Sequence, residues 1–286
     1  MSSTTANGAT QQTAFGRETR PFEGKRVINF WKDGHVGFIE MDDPPANTYT
    51  HEMMRQLDEA ILDARFDSDV ETIVLTGKGE KFFSAGANIG MLNAVTPEFK
   101  YMFCLHANET LNKLEQTPKL VIAALNGHTV GGGLEIAMAA DIRIARRDAG
   151  KIGLPEVALG VLPGTGGTQR LARLVGKSRA IEMMVTGKTV SFEQALDWGI
   201  VNDVIEGSAQ EFREQITEYA KQFCSPNKAP MAVGHIKRSV QTGAELPLQD
   251  ALGLERELQS LLFKSEDAKE GLAAYNEKRV AKFKNH

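Results

Sequence analysis

Apolar and polar residues alternate along RVINFW (26–31) and HVGFIEMD (35–42), with KDG between them, which predicts a β-hairpin turning at Asp33-Gly34. DPPANTYT (43–50) is rich in breakers and reads as a loop. Thr50 then caps a helix to about Arg65, with Met54, Leu57, Ile61 and Leu62 on one face. ETIVLTG (71–77) and KLVIAALNG (119–127) are short buried-type strands, each ending on glycine, and DIRIA (141–145) alternates as another. Residues 97–117 keep the helical period, while GKGEKFFSAGANIG (77–90) and 146–167 read as loops. Beyond them helices are predicted over 168–175, 178–185, 191–198, 208–224, 229–241 and 248–283, with a strand at VNDVI (201–205). β/α units come first and helices afterwards, without an internal repeat or a linker.

Composition narrows the function classes. The chain has 286 residues and a net charge of −4, a mixed surface that argues against nucleic acid as the main partner. Arg143, Arg146, Arg147 and Lys151 form a local basic run, which reads as a solvated face. Its two cysteines, Cys104 and Cys224, lie far apart with no CxxC, so a disulfide framework is not expected and a reducing compartment is. No apolar run approaches the roughly 20 residues that span a bilayer. The start of the chain lacks the apolar core of a secretory signal. Residues 1–24 read as a flexible polar tail, and the chain as cytoplasmic; were the Ser/Thr-rich tail a transit peptide, the mitochondrial matrix would be the site.

Candidate chemistry gathers after the two glycine-ended strands. FFSAGAN and GHTVGGGLE place small residues where sites form in open α/β sheets, beyond the carboxyl ends of strands. Glycines at a helix start expose N–H groups that have no partner inside the helix, at the positive end of its dipole. A phosphate would be one ligand for them, but the GxxxxGK[ST] pattern fails twice, at Leu171 before Gly176-Lys177-Ser178 and at Glu182 before Gly187-Lys188-Thr189. GTGGTQR likewise lacks the third glycine of GxGxxG. An oxyanion is the other ligand, and two separate donors are at hand, the N–H of Ala87 and that of Gly132. Glu135 falls in the first turn of the helix, and Glu156 stands in an apolar, glycine-rich loop where burial would raise its pKa. The six histidines form no metal-ligand cluster, so no metal is expected.

NGHTVGGGLEIAMAADIRIA, GLPEVALGVLPGTGGTQRLARLVGKSRA and FFSAGANI resemble the crotonase (enoyl-CoA hydratase/isomerase) superfamily, over about 26–286. The resemblance implies an α/β fold, a crotonase-like ββα superhelix core over 25–205, and a helical region over 206–286 that builds homotrimers or dimers of trimers. It implies an acyl-CoA thioester as substrate and no separate cofactor. By the resemblance, Glu135 and Glu156 are the catalytic acids, and Ala87 and Gly132 supply the oxyanion amides. Gly164 lies against the reacting end of the substrate, Ala85 contacts the adenine, and Lys81 and Lys278 lie near the coenzyme phosphates.

Asn88 stands where the family commonly has Asp, Leu154 stands at an often polar position, and the interval between the glutamates is longer by one residue near 148–151. The expected reaction is hydration of the 2,3 double bond of an enoyl-CoA, or its reverse. An isomerase, a hydratase for branched or cyclic acyl groups, and a non-catalytic RNA- or protein-binding relative are the alternatives. Met91, Leu92, Tyr101 and Met102 are candidates for the acyl pocket.

Overall fold

A computed structural model describes residues 24–286; the tail expected over 1–24 lies, apart from Gly24, outside the described residues. The hairpin forms from β1 (Ile28–Asp33) and β2 (Val36–Met41). Asp33 pairs with Val36, so its two-residue loop is Gly34-His35, one position later than the sequence suggested, with Gly34 at φ 57°. Thr50 caps α1 (His51–Phe66), its Oγ1 accepting the Met53 N–H at 3.2 Å. The chain continues through β3 (Thr72–Gly77), β4 (Phe82–Ser84), α2 (Ile89–Ala94) and α3 (Pro97–Glu115), then β5 (Leu120–Leu125), β6 (His128–Val130) and α4 (Gly132–Met138). β7 (Ile142–Arg146) and β8 (Lys151–Gly153) lead to a 3-10 turn over Glu156–Leu159. There follow α5 (Gly167–Val175), α6 (Lys177–Thr186), β9 (Val190–Ser191), α7 (Phe192–Asp197), β10 (Asp203–Ile205), α8 (Ala209–Lys221) and α9 (Pro230–Gly243). The stretch 248–283, which the periodicity joins into one helix, is two: α10 (Leu248–Leu262) and α11 (Glu266–Glu277). Ser265 separates them, its hydroxyl accepting the Ala268 N–H at 3.0 Å as a new N-cap.

The strands sort into two sheets. One has six strands in the order β1-β2-β3-β5-β7-β10, and the other four in the order β4-β6-β8-β9. After the β1-β2 hairpin, which lies wholly in the large sheet, the turns β3-β4, β5-β6 and β7-β8 each give their first strand to the large sheet and their second to the small one; after β3-β4 and β5-β6 a helix follows. This is the α/β core of repeated ββα turns, with helices after it. β4, β6 and β8 fall within stretches read as loops or strand ends because three residues are too few to show a period.

Both faces of the large sheet are covered, which is why its parallel strands read as unbroken apolar runs. Ile73, Leu75, Val121 and Ala123 join a cluster that includes Leu57, Ile61, Leu111 and Leu114. The alternate residues Val74, Ile122 and Ala124 join Phe212, Ile216 and Ala220 of α8. Leu154 is wholly buried in the first cluster.

The basic run is only partly a solvated face: Lys151 is exposed and Arg146 and Arg147 are half-buried, whereas Arg143 turns inward. Arg143 is buried, donating to the carbonyls of Ile200 and Ala140, both at 2.7 Å. Arg146 donates to the Glu80 carbonyl at 3.0 Å, and Arg147 pairs with Glu193 at 3.2 Å and Glu206 at 3.3 Å.

α9 is anchored to the sheet by a buried charge pair. The Lys237 ammonium lies 2.9 Å from Asp141 Oδ2, with the two side chains only 4% and 11% exposed. Asp141 also accepts the Val121 N–H at 2.7 Å and the Gln241 amide at 3.0 Å. Asp141→Ala strands both the ammonium and the Val121 amide, so unfolding in urea should show a loss of about 3 kcal/mol or more. Lys237→Met leaves Asp141 two donors and should cost clearly less; equal losses would contradict this assignment.

Candidate active site

β4 and β6 lie side by side and parallel, so the segments after them emerge at the same end of the small sheet. The sequence placed these segments after β3 and β5; the short second strand of each turn carries them instead. Segment 84–88 is held rigidly. Ser84 Oγ donates to the Asn47 carbonyl at 2.8 Å and accepts the Gly86 N–H at 3.1 Å. Ala85 N–H donates to the Ala46 carbonyl at 2.9 Å, and Tyr49 bonds to both neighbours of Ala87, its N–H donating to the Gly86 carbonyl at 2.9 Å and its carbonyl accepting the Asn88 N–H at 3.0 Å. Among the described residues, neither the Ala87 nor the Gly132 N–H has a hydrogen-bond acceptor.

The glycines are there for space. Gly131 takes φ 57° as it turns from β6 into α4. A Cβ on Gly86 would lie 2.8 Å from the Gly132 nitrogen, and a Cβ on Gly132 would lie 2.2 Å from the Tyr49 ring. A side chain at Gly86 would drive the two backbones apart, and one at Gly132 would displace the Tyr49 ring. Asn88, beside the loop, caps α2 by accepting the Met91 N–H at 2.9 Å and donates to Thr48 Oγ1 at 3.2 Å.

Two carboxyls face the same space in different surroundings. Glu135 is 2% exposed, and its Oε1 accepts the N–H groups of Thr165 and Gly167, each at 2.7 Å. Burial pushes its pKa up, and those two donors, with Arg170 beyond them, pull part of the way back. Glu156 opens the 3-10 turn; burial pushes its carboxyl up to about 7, its own N–H opposes the rise and the Glu135 charge adds to it. Its buried Oε2 has no protein partner among the described residues. Tyr49 packs against Gly132 and shares a 3.0 Å hydrogen bond with Thr165 Oγ1, and burial holds the phenol protonated.

These groups border one cavity of about 470 Å³. Ala85, Ala87, Gly132, Glu135, Glu156 and Gly164 all line it, whereas Lys81 and Lys278 do not. Lys81 extends over the Phe82 ring instead, and Lys278 ends α11. Of the acyl-pocket candidates Leu92 is in the lining, Met91 packs on the core and accepts the His51 N–H, and Tyr101 and Met102 point into solvent. Tyr49, Lys100, Phe103, Cys104 and Thr165 line the cavity without having been singled out by sequence. The spacing of 100, 103 and 104 on one face of α3 was the available signal.

Comparison with known proteins adds an independent line. The family profile Enoyl-CoA hydratase/isomerase matches residues 32–286. A short-chain-enoyl-CoA hydratase of Clostridium acetobutylicum is 39% identical over 89% of this chain and 96% of its own. An (E)-benzylidenesuccinyl-CoA hydratase of Thauera aromatica is 36% identical over 87% of this chain and 96% of its own. Among solved structures, an enoyl-CoA hydratase from Geobacillus kaustophilus superimposes with a TM-score of 0.88 at 47% identity, covering 92% of this chain and 98% of that one.

The two carboxyls should separate in unfolding experiments. Glu135→Ala orphans two buried N–H groups and should lower stability by about 2–5 kcal/mol. Glu156 has its pKa raised by folding, so its contribution is complete below the ordinary glutamate range and is lost as the pH rises to about 7. Wild-type stability should decline over that window more steeply than that of Glu156→Gln; parallel curves would place Glu156 in solvent.

Proposed function

The chain belongs to the enoyl-CoA hydratase/isomerase family, and from that premise we propose that it adds water across the 2,3 double bond of an enoyl-CoA thioester, or removes it in reverse, as a hydro-lyase. The observation that carries this reading is the convergence, in one cavity, of two acceptor-free amides and two carboxyls held in different hydrogen-bonding surroundings. The thioester oxygen docks between the N–H groups of Ala87 and Gly132, which stabilise the enolate-like charge as it develops. Glu135, whose two donors favour its ionised form, takes a proton from water while the water oxygen bonds to C3. Glu156, protonated near neutrality, gives its proton to C2, and the double-bond electrons go to that new C–H bond. Gly164 leaves room for the acyl group, and Ala85 offers backbone to the coenzyme. Lys81 and Lys278, outside the cavity, would meet the coenzyme phosphates only beyond its mouth.

The presence of both carboxyls favours hydration over double-bond migration, for which one suffices. Arg143 is buried, and Arg146 and Arg147 are engaged with Glu80, Glu193 and Glu206, so the basic run lends little to an RNA-binding reading. The reading needs no cofactor besides the coenzyme A of the substrate; among the described residues no group of three or more His, Cys, Asp or Glu is placed to hold a metal. It extends to assembly. Region 206–286 leaves Ile236, Val240, Leu248, Phe263 and Tyr275 exposed, and contacts between copies in a homotrimer, single or paired, would cover them. The free Cys104 and Cys224 suit a reducing compartment. No helix of the described residues is long and apolar enough to cross a membrane.

Hydration is followed as the loss of conjugated-thioester absorbance. Glu135→Gln and Glu156→Gln should each lower turnover about 10²–10⁴-fold with thioester binding retained. In the wild type kcat/KM should fall as the pH rises through about 7, where Glu156 loses its proton, and Glu156→Gln should lack that limb. Full turnover in either variant would remove that residue from the mechanism.

A further inference from the structure

Lys100 is the one cationic side chain among the described residues that line the cavity. It stands on α3 with Phe103 and Cys104, facing Ile89 and Leu92 from the α2 segment across an otherwise apolar stretch of wall. Its ammonium makes no ion pair or hydrogen bond with any described group. The positions that share its helix face, Thr96, Pro97, Phe103 and Cys104, hold no acid. Glu98, the acid of that first turn, is engaged with its own backbone N–H and with Thr96. Lysine here also sits near the positive end of α3, where the helix dipole opposes a cation. Lys100 is half-buried, so an opposite charge brought by a ligand would act on its ammonium with less screening than in bulk water.

Where that charge sits on the ligand follows from the helix. Cys104 is one turn further along α3, about 5.4 Å in rise. Its Sγ lies 3.4 Å from where a Cβ on Gly164 would be, and the Glu135 charge acts on its thiol. Lys100 is thus rooted one turn from Cys104, whose thiol feels the Glu135 charge. Ala85, the residue read as meeting the coenzyme, lies on the segment after β4 and not on α3. Accordingly, we propose that the acyl group itself bears a carboxylate at its end remote from the thioester, and that Lys100 pairs with it: the substrate is the monothioester of an unsaturated dicarboxylic acid. This inference rests on the hydratase reading above.

The test compares two 2-enoyl thioesters of equal chain length, glutaconyl-CoA, ending in a carboxylate, and 2-pentenoyl-CoA, ending in a methyl group. The wild type should favour glutaconyl-CoA in kcat/KM by about tenfold or more, the range of a charge-assisted hydrogen bond. In Lys100→Met that ratio should fall towards one, in Lys100→Glu below one, and in Lys100→Arg it should be largely retained. A wild-type ratio at or below one overturns the proposal while leaving the hydratase reading intact. So does an equal fall on both thioesters in Lys100→Met together with weaker binding of unacylated coenzyme A, which would put the lysine on the coenzyme. If the wild type hydrates neither thioester, the hydratase reading fails, and this inference with it.

Discussion

The cavity depends on one carboxylate receiving two main-chain amides. Glu135 leaves α4 and takes the N–H groups of Thr165 and Gly167 at 2.7 Å each. A carboxylate this deeply buried would be untenable without such donors, and the donors would be orphans without it. The contact therefore joins the turn after β6 to the start of α5 and sets the distance between two walls of the cavity. Tyr49 reinforces the junction from a third direction through Thr165 Oγ1. The same contact sets the surroundings of the two acids apart, because the buried Glu156 Oε2 has no protein donor among the described residues.

The two sheets divide the labour. The large one is scaffold, packed on both faces and insulated from solvent. The small one delivers backbone to the cavity. Its strands are short, yet the pairing of β4 with β6 and of β6 with β8 fixes where the chain turns next. Gly131 leaves β6 by donating its N–H to the Gly153 carbonyl of β8 at 2.9 Å, so the amide that follows it is aimed by sheet hydrogen bonds and not by a mobile loop.

Much of this was legible in the sequence, for identifiable reasons. Thr50 announced α1, and the runs 71–77 and 119–127 announced central strands, because long periodic or uniformly apolar stretches leave a strong signature. The glycines at 131–133 and the acids at 135 and 156 stood out as backbone and charge in apolar company, and the fold gathers them. β4, β6 and β8 were hidden by brevity. The division of 248–283 turned on Ser265, whose hydroxyl competes with the helix from within a continuous apolar rhythm. Tyr49 sits among breakers that show no facing. Tyr101 and Met102 looked suitable by hydrophobicity, but the helix turns Phe103 and Cys104 inward, a matter of rotation that packing against α1 decides and periodicity on its own does not.

The open amides at Ala87 and Gly132 belong to the peptide chain itself. No point substitution deletes them short of proline, no oxidant reaches them, and they carry the same partial charge in acid and in alkali. The surrounding side chains can change without deleting these two donors, so the lining of the cavity can be remade while its backbone polarity stays in place.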